Sequence, residues 1–323
     1  MTSPSEIAGK SVLVAGGRGF VGSAIVRRLL DEGARVTVFG PAMADDLLAD
    51  RAGRFANVEG SVEDRAALAA AVAGCEADAI VTAAAFSAGR QGLMRSGDER
   101  ADKALAVNVL GLRNVFEVAR ERAIGVVWTS STVVYGPADR YEGPVDEAAP
   151  RAPLTFYGLT KVLGEDTARY YRDRYGLPIT GLRLPLVLGE GLWYQGAASA
   201  IAGVIAAARA GTRHAVAFHD EPMDLMHVAD VAAAVTTVLA AGPKLAAVYN
   251  INGFTARLSD IAAAAEARVP GYRVDHTVEP PAITFPLIDD RRFRRDTGFR
   301  PARGLAEIVD DMLATETPCT KTV

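Results

Sequence analysis

The sequence predicts an α/β fold: a doubly wound parallel sheet followed by a smaller C-terminal lobe. Three observations carry this. Short apolar runs without polar alternation recur over residues 11–182, as expected of strands buried on both faces. Stretches of helical period lie between those runs and impose parallel crossovers. A glycine-rich turn follows the first run directly. A chain of 323 residues, 50% hydrophobic and 23% charged, has enough material to bury both a large α/β core and a lobe beside it.

Taken in order, Ser11-Val12-Leu13-Val14-Ala15 is the first strand, Gly16-Gly17-Arg18-Gly19-Phe20-Val21-Gly22 the loop, and residues 23–32 the first helix. Further strands are expected at 35–39, 56–58, 79–83, 125–128 and 179–182. Helices are expected from Glu63, over 104–122 and over 157–175. Beyond Arg183 the alternation weakens. Residues 189–194, 211–221 and 270–286 read as loops and short elements, and 226–239 and 305–313 as helices packed against both parts. The expected division is a dinucleotide-binding Rossmann domain at 1–182 and a substrate-binding lobe at 183–323 with helices returning to the main domain. No internal repeat is visible.

A net charge of −4 and a pI near 5.7 exclude a basic nucleic-acid footprint. The dense basic run Arg291-Arg292-Phe293-Arg294-Arg295 reads either as a solvated, salt-bridged helix or as a contact for an anionic substrate. Cys75 and Cys319 suggest neither a disulfide framework nor a metal site, and His214, His219, His227 and His276 lack ligand spacing, so no metal is expected. Residues 1–10 lack the regions of a secretory signal and no apolar run approaches ~20 residues. The expectation is a cytoplasmic protein that acts on a small molecule, without nucleic-acid or membrane partners.

Glycines at 16, 19 and 22 permit a tight turn, close approach of backbone amides to a pyrophosphate, and close helix packing, with the helix amino end favouring the phosphate charge. The loop residues Arg18, Phe20 and Val21 belong to that cofactor site. Recognition of the ribose 2′-hydroxyl of NAD calls for an acid at the end of the second strand, where Phe39-Gly40-Pro41 stands instead. Asp45 and Asp46 come too late unless the loop folds back. The forked donors of Arg18 suit a 2′-phosphate, so the expectation leans to NADP over NAD.

Tyr157 and Lys161 are four apart and share a helix face, 26 residues after the hydroxyl run Thr129-Ser130-Ser131-Thr132. An ammonium beside a phenol favours the phenolate, which prepares Tyr157 as a general acid or base while Ser131 holds the reacting oxygen.

These residues resemble the extended short-chain dehydrogenase/reductase family, also called the NAD-dependent epimerase/dehydratase family. The ordered matches continue through Asp64, Ala83-Ala84-Ala85, Asn108-Val109-Leu110-Gly111, Tyr135-Gly136, Glu165, Arg183, Gly189, His227 to Asp230, and Tyr249-Asn250. The resemblance implies catalytic roles for Ser131, Tyr157 and Lys161, with Lys161 also on the nicotinamide ribose, and places Ala83 and Ala84 beside the cofactor. It puts Asn108 next to the active site, although a buried helix-bending Asn fits that position equally. Asp230 fits a cap or loop anchor, and His227 a core histidine. A homodimer through the helices at 104–122 and 157–175 is also implied.

Departures bear on the substrate. Nucleotide-sugar members carry Asn three residues after the arginine of the sixth strand and Arg before the aspartate of the segment here written Met223-Asp224-Leu225; this chain has Leu186 and Met223. Trp193, Tyr194, Phe218, Met223 and Met226 are expected either to line a smaller, less polar pocket or to form lobe core. Arg90, Arg95, Arg183 and Arg213 are candidates to hold a carboxylate. The leading reading is a dehydrogenase or ketoreductase acting on a secondary alcohol or ketone. A nucleotide-sugar epimerase is the alternative, a dehydratase is weaker because Ser131 precedes Thr132-Val133 and no acidic pair, and a cofactor-sensing binding protein keeps the same fold.

Overall fold

The computed structural model describes residues 6–43, 46–281 and 283–314. Asp45 and Cys319 therefore lie outside the described residues. The first unit runs β1 (Ser11–Ala15), α1 (Phe20–Asp31), β2 (Arg35–Gly40), β3 (Ala56–Glu59), α2 (Arg65–Gly74), β4 (Ala79–Thr82), α3 (Leu93–Glu99) and α4 (Ala101–Leu105). A π-helical turn (Ala106–Gly111) leads into α5 (Leu112–Arg122), then β5 (Gly125–Ser131), α6 (Phe156–Tyr175) and β6 (Ile179–Leu184). There follow β7 (Leu186–Leu188), α7 (Ala197–Ala206), β8 (Arg213–Phe218), β9 (Met223–His227), α8 (Val228–Ala241), β10 (Val248–Asn250) and β11 (Phe254–Ala256). The chain continues with α9 (Leu258–Arg268), β12 (Arg273–Val278), α10 (Arg291–Thr297) and α11 (Leu305–Ala314).

Seven strands form one parallel sheet in the order β10-β6-β5-β4-β1-β2-β3. Side chains alternate across β1: Val12 and Val14 enter the layer made with Ile25, Leu29, Val231 and Val235, whereas Leu13 and Ala15 enter the layer made with Leu68, Val115 and Phe116. Helices α1 and α8 thus cover one face and α2, α5 and α6 the other. Each fully buried Leu, Ile, Val or Phe contributes roughly 1.5–3 kcal/mol, which explains why the strand runs carry no polar alternation.

The observed elements differ from the expected ones in several places. Strand β10, too short to register as a periodic signal, pairs with β6 and completes the sheet from within residues 183–323. Strand β6 itself runs to Leu184, through the expected division. The regions 211–221 and 270–286, read as loops and short elements, contain β8 and β12, which pair in parallel and form a two-stranded sheet. Their burial alternates between exposed and half-buried, so their apolar content is diluted. Finally, the helix expected over 104–122 is interrupted by the π turn, and the helix expected from 226 begins at Val228 because Met226 and His227 belong to β9, the middle strand of a β11-β9-β7 sheet.

The lobe has its own apolar core, built from Ile201, Ile205, Leu225, Leu258, Ile261 and Ile308. It sits against the carboxyl edge of the large sheet, where a doubly wound fold places its ligands.

Candidate active site

Site construction begins at the glycine loop. Gly16 has φ +76°, and a Cβ there would come 2.7 Å from the Ala84 amide nitrogen; at Gly22 it would come 2.0 Å from the Gly16 carbonyl oxygen. Only glycine satisfies both approaches. Gly19 is the N-cap of α1 and supplies no side-chain cap. The first-turn amides of that helix are therefore open to an anion. The loop is held in place by Gly16 N donating to Phe39 O (2.8 Å) and Ala83 N donating to Ala15 O (2.9 Å). These residues fit a pyrophosphate, and Ala83 and Val21 line the adjoining cavity of about 720 Å³.

Arg18 is placed differently from the sequence expectation. Its Nε donates to Asn57 Oδ1 (3.1 Å) and its guanidinium pairs with Asp46 (3.0 Å). The segment after β2 does fold back and brings the Asp46 carboxylate to Arg18 of the glycine loop. The guanidinium that the NADP lean rested on is thus already paired with an acid.

Ser131 terminates β5, and its hydroxyl accepts from Val133 N (3.4 Å). Tyr157 lies in the first turn of α6, which Thr155 caps by accepting from Gly158 N (3.1 Å). Ser131 acts on the Tyr157 phenol, opposing the effect of burial on it, and both residues line the cofactor-side cavity. Lys161, one turn on, donates to the Thr129 carbonyl (2.7 Å), and its Nζ is 5.4 Å from the Tyr157 ring centroid. The expected triad is assembled. Its electrostatics are not those expected: burial pushes the Tyr157 phenol above its usual range, and burial drives the Lys161 ammonium down to about 8. Desolvation is the leading cause of both shifts.

Asn108 sits in the π turn. Its Oδ1 accepts from Phe86 N (2.8 Å), and its Nδ2 donates to Thr160 Oγ1 (3.1 Å), which in turn donates to the Tyr157 carbonyl (2.7 Å). It ties the loop after β4 to the helix turn that carries Tyr157. Asn108 is buried in this turn and joined through Thr160 to the turn that carries Tyr157.

Behind the hydroxyl run lies a buried ion pair. Arg183, 2% exposed, donates from Nε to Glu165 Oε1 (2.8 Å), from Nη2 to Glu165 Oε2 (2.7 Å) and from Nη1 to the Tyr135 hydroxyl (2.6 Å). Ser130 Oγ also donates to Glu165 (2.7 Å), and the Tyr135 hydroxyl to Asn250 Oδ1 (2.8 Å).

This arrangement removes Arg183 from the carboxylate-binding candidates. Arg213 pairs with Asp275 on the exposed β8–β12 ribbon, and Arg95 with Glu99 (2.7 Å). Arg90 is exposed. Among the expected pocket residues, Tyr194 lines the cofactor-side cavity, with Phe218 and Met223 in the neighbouring one. Met226 is core and Trp193 packs against that core. Asp230 anchors the loop at Arg303 by accepting from its backbone N (2.8 Å), and His227 caps α8 by accepting from Ala229 N (3.1 Å). The basic run 291–295 forms α10, where Arg291, Arg292, Arg294 and Arg295 pair with Asp289, Asp296, Asp290 and Asp296.

Sequence reasoning missed Met94, Ile283, Phe285 and Ile288 as lining residues. The apolar cluster between Pro281 and Ile288, set among prolines, was the signal available. Among the described residues no three His, Cys, Asp or Glu side chains gather where they would hold a metal, and no helix is long and apolar enough to cross a membrane.

A doubly wound sheet with a glycine-rich first turn, and Ser, Tyr and Lys side chains gathered beyond its carboxyl edge, defines an enzyme that works with a nicotinamide dinucleotide. The chain belongs to the NAD dependent epimerase/dehydratase family, whose pattern matches residues 12–252. It is 28% identical over 226 residues to the mitochondrial L-threonine 3-dehydrogenase of Bos taurus, covering 67% of this chain and 60% of that protein. It is 31% identical over 192 residues to UDP-glucuronate 4-epimerase 3 of Arabidopsis thaliana, covering 56% of this chain and 43% of that protein. The match thus spans about 60% or less of either relative. A GalE-like L-threonine dehydrogenase from Cupriavidus necator, solved in its holo form, superposes with a TM-score of 0.80 at 26% identity, covering 94% of this chain and 99% of that one.

Proposed function

We propose that this chain is an NAD-dependent dehydrogenase or ketoreductase that moves hydride between the cofactor and a small to medium secondary alcohol or ketone. The observation carrying this reading is that Ser131 and Tyr157 line the cofactor-side cavity together, with Ser131 also lining the neighbouring apolar one. Residues Gly16, Gly19, Gly22, Phe20, Val21, Ala83 and Ala84 would hold the dinucleotide, which when bound supplies the hydride chemistry. Ser131 Oγ and the Tyr157 hydroxyl would grip the substrate oxygen. Tyr157 Oη would take a proton during alcohol oxidation and give one during ketone reduction. Lys161, held by Thr129 O, would stabilise the phenolate and reach the nicotinamide ribose, and Asn108 would keep the Tyr157 turn in place.

NAD in preference to NADP is the cofactor reading that the Arg18–Asp46 pair supports, because a 2′-phosphate would have to break that pair and face the freed carboxylate. The epimerase reading draws on the Arabidopsis relative. The two are separated by identifying the nucleotide that acid releases from freshly purified protein. Protein that emerges empty and binds NAD reversibly fits a dehydrogenase, whereas near-stoichiometric retained NAD fits an enzyme that returns its own hydride.

The same reading includes a homodimer. Leu110 is 56% and Tyr170 56% exposed, and Leu105, Leu159, Leu163 and Tyr175 extend this apolar face along α4, the π turn and α6.

A further inference from the structure

The chemistry of the substrate can be narrowed from the cavity beyond Ser131, and this inference rests on the reading that Ser131 and Tyr157 hold the reacting oxygen. That cavity, about 710 Å³, shares Ser131, Val133, Pro185 and Leu186 with the cofactor-side cavity, so the two form one continuous cleft past the reacting hydroxyls. Its walls are Leu186, Phe218, Met223, Ile283, Phe285 and Ile288. Among the described residues neither lysine nor arginine lines it. The charged groups it does present are Asp139, Glu221 and Asp224, all acids, and His219, which burial holds below its usual pKa and therefore neutral at physiological pH. Asp224 is itself occupied, accepting from Asn252 Nδ2 (2.8 Å), Thr255 Oγ1 (2.6 Å) and Ile288 N (2.7 Å). On the cofactor side the basic side chain among the described lining residues is Arg95, already paired with Glu99 (2.7 Å).

A carboxylate or diphosphate taken from water into such a cleft would lose its hydration without gaining a cation, and would lie near three carboxylates. An uncharged apolar molecule meets no such cost, and gains from every apolar wall it covers. We infer that the substrate is an uncharged, predominantly apolar secondary alcohol or ketone, and that neither an amino acid nor a nucleotide-sugar acid is turned over efficiently by this chain. The inference separates the chain from its relatives, since L-threonine and UDP-glucuronate both carry a carboxylate.

The test uses pairs matched in size and differing in charge: 4-acetylbenzamide against 4-acetylbenzoate with NADH, and 4-(1-hydroxyethyl)benzamide against 4-(1-hydroxyethyl)benzoate with NAD. Affinity for the full-length protein saturated with cofactor is measured by calorimetry alongside kcat/KM, and L-threonine and UDP-glucuronate are run beside them. The expected result is at least about tenfold preference for the neutral member in both affinity and kcat/KM. Phe285→Lys, a partly exposed loop position lining the apolar cavity and not the cofactor-side one, should narrow that ratio by bringing a cation to the pocket while leaving NAD affinity unchanged. Equal or tighter binding of the carboxylate overturns the inference, as does failure of both members to bind. Preferential binding of the neutral member without turnover leaves the substrate class standing and sinks the hydride-transfer reading instead.

Discussion

At the scale of single residues, the proposed chemistry rests on a phenol and an ammonium that are both buried. Tyr157→Phe removes the transferable proton and one grip on the substrate oxygen, and is expected to lower kcat by about 10²–10⁴-fold while NAD affinity is retained. Steady-state rates beside a fluorescence titration of NADH check this, and retained turnover would refute the assigned role. Because burial holds the phenol high, its basic form is scarce near neutrality, so alcohol oxidation is expected to speed up from pH 7 to 9 while ketone reduction does not. Lys161 gives a stability prediction whose sign follows from linkage. Its pKa is about 8 folded against 10.5 for the free side chain, so between those values the unfolded chain binds the proton and the folded chain does not. Stability must then rise with pH in that window, until Tyr157, whose folded pKa is raised, begins to oppose it above 10. Lys161→Met removes the burden of a buried charge, so its advantage over the parent chain in urea unfolding should be largest at pH 7 and shrink by pH 9.5. Asp46→Ala leaves Arg18 without its carboxylate, and the NADPH-to-NADH affinity ratio is expected to rise by roughly tenfold. An unmoved ratio would separate Asp46 and Arg18 from the ribose.

At the scale of elements, α6 is the member on which the site depends. It carries Tyr157 and Lys161 on the face toward β5, and one turn further Glu165, which pairs with Arg183 of β6 and accepts from Ser130. The spacing 157, 161, 165 is a single helix stripe, so one rotation of α6 orients all three. Glu165→Ala would leave the Arg183 guanidinium buried with only Tyr135 as a partner. Such a loss costs about 3–5 kcal/mol, seen as a lowered denaturation midpoint, and unchanged stability would show the pair to be replaceable. The π turn does comparable work from the other side, since Asn108 joins Phe86 to Thr160. The helix expected over 104–122 was legible as helical but its bulge was not. A π turn arises from how Asn108 is drawn toward α6, a contact 52 residues away in sequence.

At the scale of the whole molecule, the exposed leucines and tyrosines of α4, the π turn and α6 carry the prediction of a homodimer. Sedimentation velocity should report a dimer in the parent chain and a monomer in Leu110→Glu combined with Leu163→Glu, with the fold retained by circular dichroism. A parent chain that sediments as a monomer at all concentrations would end that reading. The cleft itself is a whole-molecule product, because its walls come from β5, β7, β8, β9 and the segment 283–288, which are far apart in the chain.

Local signals in the sequence determined the parallel α/β architecture, the glycine loop and the Ser131, Tyr157 and Lys161 set. Strands buried on both faces write continuous apolar runs, and a dinucleotide loop or a one-turn side-chain pair is encoded within a few neighbouring residues. Tertiary structure alone decided what depends on distant partners. It brought Asp46 back to Arg18, bound Arg183 to Glu165 and so removed it from the substrate's reach, and returned β10 to the main sheet. It also let burial, not the Tyr157–Lys161 pairing, set the proton affinities of the reacting groups. Desolvation and ion pairing act through space, and the spacing of residues along the chain does not carry them.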